Sequence, residues 1–200
     1  RDWFAASESV VPFPYRDARL IDRKSADAAL GRPLWACRRV LLDRPDFSGG
    51  KYIDVGRTWF EFHQVPLSRL SAPFLLAYGE IATHNHFVIS ENHEVFDRTA
   101  PVAILKSRAR EDYRAAIGYL NSSTAGFWGR LNFFQKGGDQ VGAGARLSKT
   151  PWQDRLQRAG NVLQQLPVPK LEDLRDKLLD LVIAAEETVQ GMAAQAADKI

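Results

Sequence analysis

The periodicity of apolar residues changes near Leu105, and this change constrains the fold more than any other feature of the sequence. Residues 34–105 contain short apolar and aromatic runs bounded by turn residues, which favour strands. Beyond that point, residues 111–120 and 123–134 have the apolar spacing of helices. The separation of strands from helices along the chain predicts an α+β fold, in which a mixed, twisted sheet packs against helices.

Several segments within the first half have the composition of particular elements. Residues 46–51 form a predicted turn, because Gly49 and Gly50 accept a positive φ. Residues 81–90 and 95–105 are predicted to pair as a hairpin whose loop is 91–94. Three further segments are predicted strands: 52–55, 59–64 and 72–78.

The C-terminal segment has apolar residues at alternating spacings of three and four, which is the pattern of a coiled-coil seam. The residues on this seam are Leu171, Leu174, Leu178, Leu181, Ala185 and Met192. A single long amphipathic helix cannot bury such a seam alone. We therefore expect it to fold back onto the domain or to contact a partner, such as a second copy. Residues 154–165 are a predicted short helix.

We expect three parts: an N-terminal arm at 1–33, a domain at 34–166 and a C-terminal spacer helix at 167–200. The chain begins with Arg1 rather than methionine, and we expect it to be a segment of a longer protein. A single cysteine, Cys37, excludes an internal disulfide. No apolar run is long enough to cross a membrane, and we expect a cytoplasmic location.

The net charge of +3 says little about partners, but the charge is unevenly distributed. An excess of basic residues falls within 106–149, and it comprises Lys106, Arg108, Arg110, Arg114, Arg130, Lys136, Arg146 and Lys149. A solvated basic face explains this excess as well as an anionic partner does.

His84 and His86 alternate along a predicted strand and would point to one face, with Asn85 on the other. Two histidines could begin the metal site of a small hydrolase, with His63 or His93 as a third ligand. No carboxylate or cysteine spacing supports that site, and we expect no metal. We favour a polar patch, which could also face a phosphate or a base edge.

Residues 121–124 (NSST) offer several hydroxyl and amide groups where a helix is predicted to begin. Asn121 or Ser122 would cap that helix, and the free N–H groups of its first turn would also suit an anion. The sequence contains no phosphate-binding loop, dinucleotide fingerprint or nucleophile elbow. We therefore expect no catalytic residue in this chain.

Eight short segments occur in a characteristic order: 46–51 (DFSGGK), 56–66 (GRTWFEFHQVP), 70–73 (LSAP), 81–88 (IATHNHFV), 95–102 (VFDRTAPV), 118–128 (GYLNSSTAGFW), 136–138 (KGG) and 161–169 (NVLQQLPVP). This order resembles the C-terminal part of the adenine-specific DNA methyltransferases of BREX and phage-growth-limitation defence systems, the PglX family. These enzymes are akin to fused restriction–modification methyltransferases. One departure is Gly126, where the resemblance leads us to expect a small apolar residue or cysteine.

The resemblance implies that the region is a target recognition domain, which binds double-stranded DNA and reads its sequence through variable loops. It also implies a separate upstream domain that binds S-adenosylmethionine and methylates adenine N6 through an N-P-P-[YFW] motif. This chain lacks that motif, so we expect it to hold no cofactor and to be inactive alone, beside its parent methyltransferase domain. The alternative is a protein–protein module that dimerises or binds another subunit of a defence complex through the 171–192 helix.

A recognition domain needs lysine and arginine for phosphates and a few polar side chains for base edges. The DNA-binding residues predicted on this basis are Arg57, Gln64, His84, Asn85, His86, Asn121, Ser122, Ser123, Lys136, Gln140, Arg146 and Lys149.

Overall fold

A computed structural model describes residues 10–64, 69, 71–91, 94–136, 139–141, 145–147, 155–170 and 174–197. It confirms the α+β class, with six helices and ten short strands in the described ranges. The chain forms two compact units, one at Glu8–Ala72 and one that includes Pro73–Ile200. The boundaries placed at 33 and 166 from the sequence remain predictions. Across the described ranges, no helix combines the length and apolarity needed to span a bilayer.

The N-terminal unit begins with a tight antiparallel hairpin of β1 (Tyr15–Arg16) and β2 (Arg19–Leu20). Its two turn residues, Asp17 and Ala18, have φ values of 49° and 57°, as the mirror-image turns of two-residue hairpins require. Two helices follow, α1 (Arg23–Trp35) and α2 (Arg38–Leu42). The side chain of Asp22 caps α1 by accepting a 3.0 Å hydrogen bond from the Ser25 N–H.

The turn predicted at 46–51 is confirmed. The Asp46 N–H donates to the Gly50 carbonyl at 3.0 Å, and both glycines of the turn have positive φ. The strands predicted at 52–55 and 59–64 are wrong. The carbonyls of Trp59 and Glu61 accept hydrogen bonds from the Arg44 guanidinium instead of a neighbouring strand. Arg44 therefore supplies the backbone hydrogen bonds of this aromatic segment, for which the sequence predicts a strand.

The C-terminal unit is built on β3 (Leu75–Tyr78), whose four residues are all buried. β3 lies between β5 (Phe87–Ser90) and β6 (Val102–Ala103) and pairs antiparallel with both. The hairpin predicted between 81–90 and 95–105 is therefore wrong. A buried apolar strand needs backbone partners on both edges. β3 pairs with β5 from the first arm of the predicted hairpin and with β6 from its second arm.

A second small sheet has the order β4 (Ile81–Ala82), β10 (Leu156–Gln157) and β7 (Phe134–Gln135). The helix predicted at 154–165 is only partly right, because β10 precedes a short α5 (Gly160–Leu163). β10 bonds to strands on both sides, and this long-range pairing overrides the local helical pattern.

Residues 136–149 contain four glycines and no apolar period, and the sequence alone therefore predicts a flexible loop there. The structure instead pairs β8 (Asp139–Val141) antiparallel with β9 (Ala145–Leu147). The four glycines of 136–149 interrupt the alternation of apolar and polar residues from which strands are predicted. In place of one continuous mixed sheet, the described strands thus form separate small sheets, and every pairing among them is antiparallel.

Both central helices are confirmed as α3 (Arg110–Leu120) and α4 (Ser123–Asn132). The apolar spacing of 123–134 predicts a buried face made of Ala125, Phe127, Trp128, Leu131 and Phe134. This face is partly wrong, since Phe127, Leu131 and Phe134 are exposed while Ala125 is buried. Gly129 leaves room for the ring of Phe133, the C-cap residue of the same helix, because a Cβ at Gly129 would come within 3.0 Å of that ring.

The C-terminal helix α6 (Arg175–Ala197) folds back onto α3. Its Val182 is buried in the core beside Tyr113 and Ile117, whereas Leu181 is 67% exposed. The Arg114–Glu186 ion pair, at 2.7 Å, links the two helices. The helix therefore reaches the core through Val182, which lies one residue away from the seam predicted from the spacing.

The close approach of α3 and α6 at Gly118 predicts a large effect of a side chain there. A Cβ at this position would lie 3.0 Å from Val182 Cγ2 and 3.4 Å from the Leu178 carbonyl oxygen. We expect Gly118→Val to lower the free energy of unfolding by about 2 kcal/mol, because overpacked helices must separate. Gly191→Val is the matched control, since nothing lies within 4 Å of a Cβ there. Chemical denaturation would measure both, and equal effects would contradict the packing at Gly118.

Candidate functional site

A polar cavity of about 280 Å³ lies in the C-terminal unit, between the segment preceding β5 and the start of α4. The predicted residues His84, Asn85, Asn121, Ser122 and Ser123 all line it. The other lining residues are Thr83, Gly126, Phe127, Arg130, Leu156 and Arg158. The structure thus brings together two of the polar segments selected from the sequence. No carboxylate is among these lining residues.

Asn121 fixes the junction between α3 and α4 to the edge of β5. Its Nδ2 donates to the Phe87 carbonyl at 2.9 Å, and its Oδ1 accepts from the Phe87 N–H at 2.8 Å. The carboxamide therefore takes the place of a neighbouring strand for a residue that is almost completely buried.

Asn85 connects the same junction to Arg158. Its Nδ2 donates to the Leu120 carbonyl at 2.7 Å, at the last residue of α3. Its Oδ1 accepts from Nε and Nη2 of Arg158 at 3.4 and 3.3 Å. One amide thereby positions the end of a helix and a guanidinium group at the cavity.

Arg158 is the residue of this site that the sequence analysis missed. It is only 2% exposed, and its Nη1 donates to the carbonyls of Ala82 and Leu156 at 3.0 and 3.4 Å. Burial lowers the pKa of Arg158 to about 10, so the group remains charged at neutral pH. In the part of the chain that the structure describes, no carboxylate forms an ion pair with it.

Ser122 is the N-cap of α4, as predicted. Its backbone is extended (φ −70°, ψ 157°), and its Oγ accepts from the Ala125 N–H at 3.2 Å. The first turn of α4 contains no acidic side chain. The positive end of this helix dipole is therefore not neutralised by its own first turn.

The rings of His84 and His86 lie side by side with centroids 6.1 Å apart, as their predicted common face requires. The predicted strand is wrong at this point, because residues 83–86 connect β4 to β5, and Asn85 lines the same cavity as His84 instead of facing away from it. His84 Nδ1 also lies 2.9 Å from Thr83 Oγ1. His93, one third ligand considered for a metal, is outside the described ranges. His63 belongs to the N-terminal unit and stacks on Phe47 at 4.1 Å. Where side chains are described, no group of three potential metal ligands is present.

Arg57, also in the N-terminal unit, is engaged within that unit. It pairs with Asp46 at 2.9 Å and Glu61 at 3.3 Å, and it donates to the His63 carbonyl at 3.2 Å. Hydrogen bonds from Ser48 hold the pKa of Asp46 below its ordinary value, which keeps this partner charged. Gln64 is exposed. The DNA contacts predicted for Arg57 and Gln64 stay predictions.

The remaining predicted residues lie at or beyond the β8–β9 pair. The Lys136 N–H donates to the Arg155 carbonyl at 2.8 Å, which closes the base of the segment between them. Gln140 and Arg146 are directly opposite each other in the β8–β9 register. Lys149 falls outside the described residues. Lys136 is not among the residues that line the cavity.

Comparison with known proteins gives one informative similarity. No protein-family model matches the sequence. The chain is similar to part of a methyltransferase specific for adenine. That protein is adenine-specific methyltransferase PglX of Streptomyces coelicolor, which is 41% identical over 171 residues. The match covers 84% of this chain but only 14% of the length of PglX. The chain is thus related in sequence to a segment of a much longer enzyme.

The two hydrogen bonds of Asn121 predict its contribution to stability. We expect Asn121→Ala to lower the free energy of unfolding by about 2 kcal/mol, because the Phe87 N–H and carbonyl would lose their partner. Asn132→Ala removes only an exposed hydrogen bond to the Trp128 carbonyl and should change stability by less than about 0.5 kcal/mol. Urea denaturation would compare the two variants. An Asn121→Ala protein as stable as Asn132→Ala would show that the clamp on Phe87 is dispensable.

Proposed function

We propose that this chain is a sequence-specific double-stranded DNA recognition module of an adenine-N6 DNA methyltransferase. Such an enzyme would act in the cytoplasm in a phage-defence system of the BREX or restriction–modification type. The observation that carries the proposal is the 41% identity to a segment of PglX over 84% of the chain. In this proposal S-adenosylmethionine and methyl transfer belong to another domain of the parent enzyme.

The charge around the cavity supports a nucleic-acid partner. Arg130 and Arg158 line it without a carboxylate, next to the uncompensated N-terminus of α4. Polyanions are attracted by such surfaces, because each phosphate that the protein neutralises releases counterions.

The β8–β9 pair supports a second contact. The DNA major groove admits a two-stranded β-ribbon, and bidentate pairs of arginine with guanine and glutamine with adenine read sequence there. Gln140 and Arg146 are register neighbours on such a ribbon. We assign them to base reading or phosphate contact, and Lys136 and Lys149 at the ends of this segment to phosphates.

The proposal predicts salt-sensitive binding to duplex DNA. In a fluorescence-anisotropy titration with random-sequence duplex, affinity should fall steeply as salt is raised. Combined substitution of Lys136, Arg146 and Lys149 by glutamine should flatten the logarithmic salt slope by about 0.9 for each phosphate that the protein no longer neutralises.

The matched control replaces Lys24, Lys170 and Lys177 by glutamine, which removes the same charge outside the 106–149 window. All three control residues are exposed. An equal change of slope in both triple variants would contradict the assignment of the β8–β9 segment. No duplex binding by the unmodified chain at low salt would contradict the function itself.

A second candidate function is self-association through α6, which would join two copies within a defence complex. Leu181 and Met192 are 67% and 65% exposed on this helix, although Val182 on the same helix is buried. Exposed apolar side chains along one helix are a common basis for helix pairing.

Self-association predicts a mass that rises with concentration in sedimentation velocity experiments. Leu181→Glu should abolish that rise without unfolding the chain, because the side chain already contacts solvent. Lys177→Glu, an exposed change of charge on the same helix, is the control. A monomer at every concentration would reject this function and leave the DNA proposal unaffected.

A further inference from the structure

Arg158 carries a buried charge that no carboxylate of the described residues balances. Its guanidinium is buried at the cavity, donates to neutral oxygens of Asn85, Ala82 and Leu156, and lies over the Phe133 ring at 5.9 Å from the centroid. A buried ion without a partner of opposite charge destabilises a folded protein. Chains that retain such an ion commonly use it, because an incoming anion restores the missing charge.

The start of α4 provides a second, independent set of donors beside this cation. The first N–H groups of a helix have no acceptor within the helix. The Ser122 side chain satisfies only the N–H of Ala125. Within the described residues, the N–H groups of Ser123 and Thr124 have no acceptor, and Ser123 lines the cavity.

The composition of the cavity favours an anion. Its walls carry two guanidinium groups and several hydroxyls, with no carboxylate to repel an anion. Its volume of about 280 Å³ has room for a phosphate group of a larger ligand.

We propose that this cavity binds one backbone phosphodiester of the DNA, with Arg158 as the buried counter-charge and the Ser123 and Thr124 N–H groups as donors. Arg130, which is exposed at the rim, adds a second positive charge. This inference rests on the proposed function and specifies the ligand at one position of its surface. A phosphate held here fixes the register of the protein on the duplex, while bases are read elsewhere.

One substitution removes a proposed donor without disturbing the fold. Proline is well tolerated at the first position of a helix, and it requires an extended residue before it. Ser123 is that first position, and Ser122 is already extended. Ser123→Pro therefore deletes the N–H and the hydroxyl, whereas the matched variant Ser123→Ala deletes the hydroxyl alone.

The first experiment titrates the isotope-labelled chain with dimethyl phosphate, the simplest phosphodiester, and follows amide resonances by NMR. We expect saturable shifts at Ser123, Thr124 and the Arg158 Nε–H. Ser123→Pro should bind about tenfold more weakly than Ser123→Ala, since a hydrogen bond to a charged group contributes on this scale. Equal binding by the two variants, or shifts with adenosine but not with dimethyl phosphate, would overturn the proposal.

The second experiment measures affinity for duplex DNA with the same two variants. Ser123→Pro should again bind about tenfold more weakly than Ser123→Ala. Equal duplex affinity, together with a difference in dimethyl phosphate binding, would mean that the cavity takes a phosphate from another source. That result overturns this inference and leaves the proposed function intact. Absence of duplex binding by the unmodified chain would reject the proposed function, and the DNA phosphate with it.

Discussion

Two carboxamide side chains hold together the end of the C-terminal unit that carries the cavity. Asn121 completes the hydrogen bonding of Phe87 at the edge of β5, and Asn85 ties the last carbonyl of α3 to Arg158. Through these bonds the sheet, the α3–α4 junction and the segment after β10 meet at one point. The cap at Ser122 and the direction of α4 follow from that junction. Without the amides, the guanidinium and the helix N-terminus would have no fixed relation to each other.

The two units use arginine in different ways. In the N-terminal unit, Arg44 stacks on Tyr52 and donates to nearby carbonyls, and Arg57 has two carboxylate partners. These side chains act as structural links among aromatic residues. Arg158 has a comparable number of neutral partners but no carboxylate partner in the described structure. Net charge and residue counts do not distinguish these roles, because they depend on which acidic groups the fold brings within reach.

Local signals in the sequence predicted local structure well. The helices at 111–120 and 123–134, the Ser122 cap and the glycine turn at 46–51 all depend on neighbours a few residues apart. Predictions failed where distant segments decide the outcome. β3 pairs with strands from both sides of the predicted hairpin, and β10 is a central strand within a helical pattern. Five of the predicted site residues line one cavity, but Arg158 had no signal, since a single arginine becomes distinctive only when burial removes it from water.

The hydrogen bond from the Lys136 N–H to the Arg155 carbonyl and the pairing of β7 with β10 join the two sides of the intervening segment. The two ends of the segment between these residues are held next to each other. The segment can therefore change in length without moving β7 or β10. Loop-closure entropy grows only logarithmically, and doubling such a segment costs about 0.6 kcal/mol. Insertions or exchanges within it can therefore accumulate with little effect on folding, while the cavity keeps its geometry. Under the proposed function, such a scaffold would acquire new DNA sequence preferences by replacing this one segment.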